Sequence, residues 1–528
     1  MQEWALTHNG SALPVDSIPA RSYEAMRSSI VEQCRAGARP LAYFAAAVGD
    51  SLSLYALLAT DADSQILVAR PEPVSADAPL ASVTPELPMF HLFERELSEA
   101  HGIRFVGHPW LKGVRFPPGG RAGSTADYPF FRLEGEGVHE VAVGPVHAGV
   151  IEPGHFRFMC RGEKVDHLEI QLGYQHRGVE PLFEAGAIGS KAALAESICG
   201  TSLIAHATAY ALCVEAAARG SAQGSAVDLR SETNGTVPRG IALTRRVALE
   251  LERIGGHLAS LGALAGDVAY LPGSSVCAGL RTLVINALLE LSGSRFGRGL
   301  VRPGEASRLI DGRLADLILA RLAIVERRLR LLGKVMWSSP SLLSRFERTG
   351  RVSTEDALAI GMVGVAARAS GLDRDIRRTH PCSGEEQAAP EPCVEAGGDV
   401  FGRAMVRYRE VFASIAFIRQ EVSLVEAQGG RSRRLAGVPG SAAARASRFA
   451  GLGAPAADTL SIGMVEGVHG EIVHVLLTDA GGGTRRYKIK DPAFNNWFAL
   501  ALAVRGEGIS DFPLCNKSFD LSYAGHDL

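Results

Sequence analysis

Five long stretches of helical sequence, bracketed by two β-rich segments, constrain this chain more than any other feature. Residues 185 to 219 are Ala-rich and mostly apolar, 240 to 268 are amphipathic, and 276 to 293 are apolar. Residues 308 to 333 carry Leu and Ile at three- and four-residue steps among arginines, and a further amphipathic run spans 399 to 427. Within the first stretch, "ESICGTSLIAHATAYALCVE" (196–215) reads as one helix, apolar on nearly every side. Ahead of the helices, from Val138 on, short alternating runs are cut by Gly and Pro. After them, "SIGMVEGVHGEIVHVLLTDAGGGTRRYKIKDP" reads as strands, with "DAGGG" as a hairpin turn.

Residues 1 to about 115 mix alternating stretches with polar turns, the pattern of a small α/β unit. Pro117, Pro118, Gly119 and Gly120 open a linker that reaches about residue 137. The expected class is therefore α+β. A module over 1–120 and a linker over 121–137 lead into a large, mainly helical domain over 138–528 with a β-rich start and C-terminal strands. A loop is expected between 429 and 459.

A formal charge of −2 excludes the basic surface that a nucleic-acid binder needs. The N-terminus lacks a basic region followed by an apolar core, so no secretory signal is expected. The longest uncharged apolar run, Ile198 to Val214, falls short of the ~20 residues that span a bilayer. Membrane contact is then expected through a partner. Eight irregularly spaced cysteines do not make a disulfide framework, and the cytoplasm is the economical compartment. No P-loop, dinucleotide fingerprint or G-x-S-x-G elbow stands out. His139, His147, His155, His167 and His176 lack zinc-site spacing and read as hydrogen-bonded or exposed histidines.

One repeated spacing needs a reason. Cys199 and Ser202 form a C-x-x-S pair, and Cys515 and Ser518 repeat it 316 positions later. Two C-x-x-C pairs can gather four thiolates around a soft metal. Two thiols and two hydroxyls make a poor site for one, because serine is a weak, hard ligand that stays protonated. On chemistry alone the cysteines read as buried small residues.

Longer motifs place the chain in a family. "ERELSEAHGIRFVGHPWL" (94–111) resembles the small complex I subunit that carries an E-R-E…G-I-x-F…G-H-P motif. "VGPVHAGVIEPGHFRF" (143–158), "GYQHRGVEPL" (173–182) and "LERIGGHLASLGALAGDVA" (251–269) resemble a second group of proteins. So do "GMVGVAARASGLDRDIRRTHP" (361–381), "GDVFGRAMVRYREVFASIAFIRQ" (398–420) and "VEGVHGEIVHVLLTDAGGG" (465–483). That group comprises the large subunits of membrane-associated nickel–iron hydrogenases, of hydrogenase-4 and formate hydrogenlyase type, and the quinone-site subunit of complex I. The resemblance covers nearly the whole chain, in order.

The family's metal motifs are R-x-C-G-x-C and D-P-C-x-x-C. By comparison, Cys199 and Cys515 match the terminal nickel ligands, whereas Ser202 and Ser518 stand where bridging cysteines would be. The leading Arg is Ser197, the later His is Leu521, and Glu180 matches the acid of an outer metal site. The resemblance thus implies a lost nickel–iron centre and no cofactor bound by this chain. The complex I arrangement is also incomplete. Gly200 stands at the quinone tyrosine and Cys199 at its acidic neighbour. His147 matches one quinone histidine, and the second aligns near Ile151 or Glu152.

The resemblance implies a cavity lined by His147, Glu152, Glu180, Cys199, Ser202, Cys515 and Ser518, with Glu152 and Glu180 as carboxyls of raised pKa if buried. Implied partners are an iron–sulfur small subunit, whose cluster supplies electrons, and integral membrane subunits of complex I or antiporter type. They would hold the chain on the inner face of the cell membrane. Two functions follow: reduction of a quinone or other acceptor coupled to ion movement, or a non-catalytic docking and coupling subunit. A third, active hydrogenase, would need two hydroxyls to replace two bridging thiolates.

Overall fold

The computed structural model describes residues 3–75, 77–117, 120, 123–149, 151–220, 237–382, 389–427 and 453–528, with 424–427 as backbone alone. Most of the loop expected over 429–459, and Pro118 and Gly119 of the linker, lie outside the described residues.

The N-terminal segment opens with β1 (Ala5–Thr7) and β2 (Ala12–Pro14), then α1 (Tyr23–Arg35). The Ser22 hydroxyl caps α1 by accepting from the Ala25 amide. Strands β3 (Arg39–Val48), β4 (Ser51–Thr60) and β5 (Gln65–Pro71) follow, then α2 (His91–His101). The antiparallel order is β1-β5-β4-β3. One face packs Tyr43, Leu54 and Leu58 on Ile30 of α1 and Phe93 and Leu97 of α2. The other packs Leu41, Phe44, Tyr55 and Leu57 on Leu460, Ile462, Val473 and Val475 of the larger segment. Burial on both faces explains why these strands read as nearly continuous apolar runs rather than strict alternation.

The larger segment begins with the antiparallel strands β6 (Val138–Val143), β7 (His155–Arg161) and β8 (Lys164–Gln171). Helices α3 (Val179–Glu184), α4 (Leu203–Gly220), α5 (Arg239–Asp267), α6 (Leu271–Ser292) and α7 (Gly312–Met336) come next, then the short α8 (Gly364–Ala369) and α9 (Val400–Ala427). Strands β9 (Thr459–Glu466), β10 (Glu471–Thr478) and β11 (Thr484–Lys490) form a sheet of order β11-β10-β9-β2. The N-terminal strand β2 is therefore the fourth strand of the larger segment's sheet, paired with residues 459–461. Helices α10 (Pro492–Ala503), α11 (Phe512–Phe519) and α12 (Tyr523–Asp527) close the chain.

Helices α5, α6, α7 and α9 pack as a bundle, and α4 lies between the bundle and β9–β10. Leu251, Ile254, Leu258 and Leu261 of α5 are buried in one core with Leu280, Val284 and Leu288 of α6. Each contributes about 1.5–3 kcal/mol by burial, and truncating Leu258 to Ala would cost ~2–5 kcal/mol. Among the described residues one helix, α6, is long and apolar enough by length and composition to cross a membrane; its most apolar 18-residue window is 33% buried. Here its buried face is a wall of the bundle.

The single helix expected over 196–215 is not formed. A four-residue helical turn, Ala192–Ala195, ends before Glu196, and α4 begins only at Leu203. Residues 196–202 form turns between them. The first amides of α4 have a partner that a continuous helix would exclude: Glu252 of α5 accepts from Ile204 N (2.7 Å) and Ala205 N (3.1 Å). Cys199 and Ser202 are thus turn residues, joined by a Ser202 N–H donated to the Cys199 carbonyl at 3.3 Å, and do not share a helical face.

Candidate functional site

The 196–202 turn and α11 carry the two C-x-x-S pairs, and His469 of the β9–β10 turn lies between Thr201 and Asp520. Cys199 Sγ and Thr201 Oγ1 share a hydrogen bond at 3.3 Å, and Thr201 Oγ1 meets His469 Nε2 at 2.8 Å. His469 Nδ1 lies 3.9 Å from Asp520 Oδ2, at the left-handed end of α11. His469 holds this place because Gly364 packs directly on its carbonyl. A Cβ on Gly364 would stand 2.0 Å from that oxygen, and the φ of +66° favours glycine as well.

Cys199, Ser202, Cys515 and Ser518 are all fully buried. On α11 the Ser518 hydroxyl donates to the Cys515 carbonyl at 2.6 Å and accepts from Arg403 Nε at 2.8 Å. Arg407 Nη2 donates to the carbonyls of Ser518 (3.3 Å) and Phe519 (2.9 Å). The Ser202 hydroxyl has no hydrogen-bond partner among the described residues. Burial pushes the Cys199 thiol up to about 11 and the Cys515 thiol up to about 12, so both stay protonated at neutral pH. Cys199 and Cys515 are not joined to each other by a disulfide.

Of the remaining expected cavity residues, His147 and Glu152 lie in the β6–β7 loop and Glu180 on α3. His147 is half-buried in the β6–β7 loop, donating Nε2–H to the Gly154 carbonyl at 2.8 Å. Its ring packs near Phe156, which also touches Phe512 at the start of α11. Glu152 is exposed and accepts from the amides of Tyr523 (3.2 Å) and Ala524 (3.4 Å). It is no buried acid. Glu180 is buried, but the expectation of a raised pKa is reversed. Burial alone would raise it, yet Arg486, Lys488 and Arg115 outweigh burial and hold the carboxyl far below its usual range. Lys488 Nζ bridges Glu180 (3.0 Å) to Glu96 of α2 (2.5 and 2.6 Å), tying the two segments together. Two of the five spaced histidines are hydrogen-bonded as expected: His155 and His176 bond the carbonyls of Gly144 (3.1 Å) and Asp527 (2.7 Å).

Behind His469 lies a layer of buried charge with no counterpart in the expected residue set. Glu410 of α9 binds Arg253 at 2.5 Å, Arg368 at 2.7 Å and His257 at 2.8 Å. Arg368 also binds Glu466 at 2.7 Å. Burial raises Glu410, but Arg368 and Arg253 hold it well below the ordinary carboxylate value; burial lowers His257 to about 3. Arg403 and Arg407 differ from these. Both are fully buried, and among the described residues neither has a carboxylate within 4.0 Å. They donate only to neutral oxygens, Arg403 to Ser518, Gly398 and Gly350. Two guanidinium ions without carboxylate partners give this wall a positive potential, suited to a group that gains negative charge.

The motif segments contained Arg403, Arg407, Glu410 and His469 without singling them out. The signal was present: Arg403 and Arg407 stand four apart in α9, on the side that also buries Val400, Ala404 and Val411. Arginines on the apolar side of a helix mark a buried polar site.

A soft metal finds few donors here. Among the described residues no three His, Cys, Asp or Glu side chains group closely enough to hold a metal ion.

The sequence pattern of the respiratory-chain NADH dehydrogenase 49 kDa subunit matches residues 267–527, and that of the 30 kDa subunit matches residues 43–124. The two matches lie in one chain, a 30 kDa-type segment ahead of a 49 kDa-type segment. Formate hydrogenlyase subunit 5 of Escherichia coli is 27% identical to this fused chain over 501 residues, covering 90% of it and 82% of the relative. The carbon monoxide-induced hydrogenase of Rhodospirillum rubrum is 27% identical over 383 residues, 72% of this chain and 97% of the relative. The fold is shared with a chain of the archaeal membrane-bound sulfane sulfur reductase, at TM-score 0.63 and 21% identity, covering 74% of this chain and 99% of that one.

Proposed function

We propose that this fused 30/49 kDa-type chain is a catalytic subunit of a complex I-like, hydrogenase-related membrane oxidoreductase that reduces a quinone or another small acceptor and works without a nickel–iron centre. Electrons would come from the cluster of an iron–sulfur small subunit. Ion movement would be carried by membrane subunits that hold the chain on the inner face of the cell membrane. Support for the membrane setting comes from the relatives, two of which are named for hydrogen chemistry and one solved structure for a membrane-bound complex.

The observation that carries the reading is the pair Arg403 and Arg407 beside Ser518. A buried guanidinium next to Cys515 and Ser518 repels a divalent cation and favours an acceptor that becomes anionic on reduction. Hydroxyls at positions 202 and 518 do not fit a centre bridged by thiolates. Reduction of a quinone to a quinol takes two electrons and two protons. The electrons would come from the partner's cluster, and the Thr201–His469 hydrogen bond at 2.8 Å would be the nearest side-chain pair able to hand on a proton.

Quinone-reduction and hydrogen-uptake assays on the purified membrane complex test this. Quinone-dependent turnover that falls in the Arg403→Leu complex supports the reading; hydrogen uptake by the parent complex overturns it. The second reading, a non-catalytic coupling subunit, is favoured by the Glu96–Lys488–Glu180 bridge. It predicts that Arg403→Leu leaves turnover intact while loss of the bridge impairs assembly.

A further inference from the structure

A separate cavity of about 180 Å³ lies where the two segments meet, between α2 and the β8–α10 region, and none of the C-x-x-S residues lines it. Much of its wall is aromatic. Trp110 and Phe498 stack at 5.9 Å and 14°, one ring from each segment. His91 tilts against both, at 5.4 and 5.0 Å. Tyr128 and Phe131 add two further rings.

The charged side chains on this cavity do not cancel. They are Arg95, Arg505 and Glu169. Glu169 is fully engaged, accepting from Lys112 (2.5 Å), the Tyr128 hydroxyl (3.0 Å) and the Phe131 amide (2.7 Å), so Lys112 neutralises it. Neither arginine is ion-paired to a carboxylate among the described residues. Arg95 is half-buried and fixed by two backbone carbonyls: Nε donates to Lys112 (2.8 Å) and Nη2 to Gly113 (2.7 Å). A carbonyl holds a guanidinium in place without removing its charge. Arg505 is exposed, and among the described residues nothing accepts a hydrogen bond from its guanidinium. Both charges are felt by the rings of the wall. Burial lowers His91 and His167, and Arg95 adds to the effect on His91 as Arg505 does on His167. The result is a largely apolar cavity under a net positive potential, with one guanidinium fork unclaimed on its exposed side.

We propose that this cavity binds a small aromatic monocarboxylate, a single ring with its carboxylate on Arg505 and its apolar body among the rings of the wall. An apolar cavity of ~150 Å³ admits benzene, so the present volume suits a ring of that size with one small substituent. The aromatic wall supplies apolar contact and ring-on-ring packing. Arg505 supplies the directional contact, because its planar fork meets both oxygens of a carboxylate at once. Since Arg505 is exposed, the carboxylate keeps part of its hydration, and burying the ring does not require burying the charge. Arg95, already tied to the backbone, adds positive field without having to move. A ligand here touches both segments at once, and the proposal does not depend on the acceptor of the Arg403 chamber.

The test uses the full-length chain and three probes: benzoate, its neutral isostere benzamide, and anthracene-9-carboxylate, which carries the same anion on three fused rings. Binding is followed by calorimetry and ligand-observed NMR. Benzoate should fill one site and bind roughly tenfold tighter than benzamide, as one charge-assisted contact predicts, and the preference should shrink as salt is raised. Anthracene-9-carboxylate, too large for the cavity, should bind more weakly than benzoate. Arg505→Gln should weaken benzoate by about tenfold and leave benzamide within about twofold of its parent affinity. Ala501→Phe, which fills the cavity from α10, should abolish binding of both single-ring probes. Circular dichroism and thermal melting establish that each variant is folded, and the size series and the Arg505→Gln comparison stand without Ala501→Phe. Absence of benzoate binding to the parent chain overturns the proposal. So do equal affinities for benzoate and benzamide, unchanged benzoate binding in Arg505→Gln, or tighter binding of the three-ring acid, which would mark adsorption to the surface.

Discussion

Removing the ammonium of Lys488 should weaken the junction between the two segments, and the size of the effect follows from its surroundings. Lys488 is 1% exposed at its side chain and lies between Glu96 and Glu180. In Lys488→Met both carboxylates stay buried and lose a shared cation. Breaking a buried pair from one side costs ~3–5 kcal/mol. Arg115 still binds Glu96 and Arg486 still binds Glu180, so the low end, ~3 kcal/mol, applies. An unfolding entropy of about 2.1 cal/mol/K per residue, over 528 residues, converts ~3 kcal/mol into a melting shift of ~3 °C. The pH dependence has a definite sign. Burial would raise both carboxyls, but the surrounding cations hold them below the model-compound value of 4.5. Their contribution is therefore fully present above pH 4.5 and is lost as pH falls through the lower folded values. Thermal melts at neutral pH should show the full gap between parent and variant, narrowing in acid. Adding Glu96→Gln to Lys488→Met should recover part of it. An unchanged melting point at neutral pH, or a gap that widens in acid, would refute the reasoning.

Three further outcomes are expected. Glu252 is pushed up by burial to about 8, so the folded chain holds a proton that the unfolded chain releases above 4.5, and stability drains as pH rises between those values; Glu252→Gln should lose that slope in melts across the interval, and an unchanged slope would count against it. Cys199 and Cys515, buried and pushed up to about 11 and 12, should resist alkylation in the native chain at mildly alkaline pH and react only after denaturation, as read by mass spectrometry of the peptides. Limited proteolysis should cut first within 117–124, and the fragments should remain together on gel filtration because β2 and the faces of β3–β5 are built into the larger segment's sheet.

The long helices and the β9–β11 meander were legible because their apolar period is set by local burial, and the ends of α5, α6, α7 and α9 fall close to the expected runs. The break at 196–202 was not, because it depends on Glu252, which lies about fifty positions away and satisfies the amides at the start of α4. Motif comparison marked Cys199, Ser202, Cys515 and Ser518; the structure links Cys199 through Thr201 to His469, with Asp520, two residues past Ser518, 3.9 Å from that imidazole. It could not rank the carboxyls. Glu152 and Glu180 look alike in sequence, yet one is exposed and the other is clamped by Arg486 and Lys488, contacts spanning some three hundred residues. The buried arginines were hidden for a related reason: a charge on an apolar helix face reads as a surface residue until the neighbouring helices are in place.

Nickel content of the purified membrane complex tests the central reading most directly. With Ser202 and Ser518 in place of bridging thiolates and Arg403 beside Cys515, the complex should carry far less than one nickel per copy of this chain and show no hydrogen-dependent reduction. One nickel per chain, with hydrogen uptake, would contradict it.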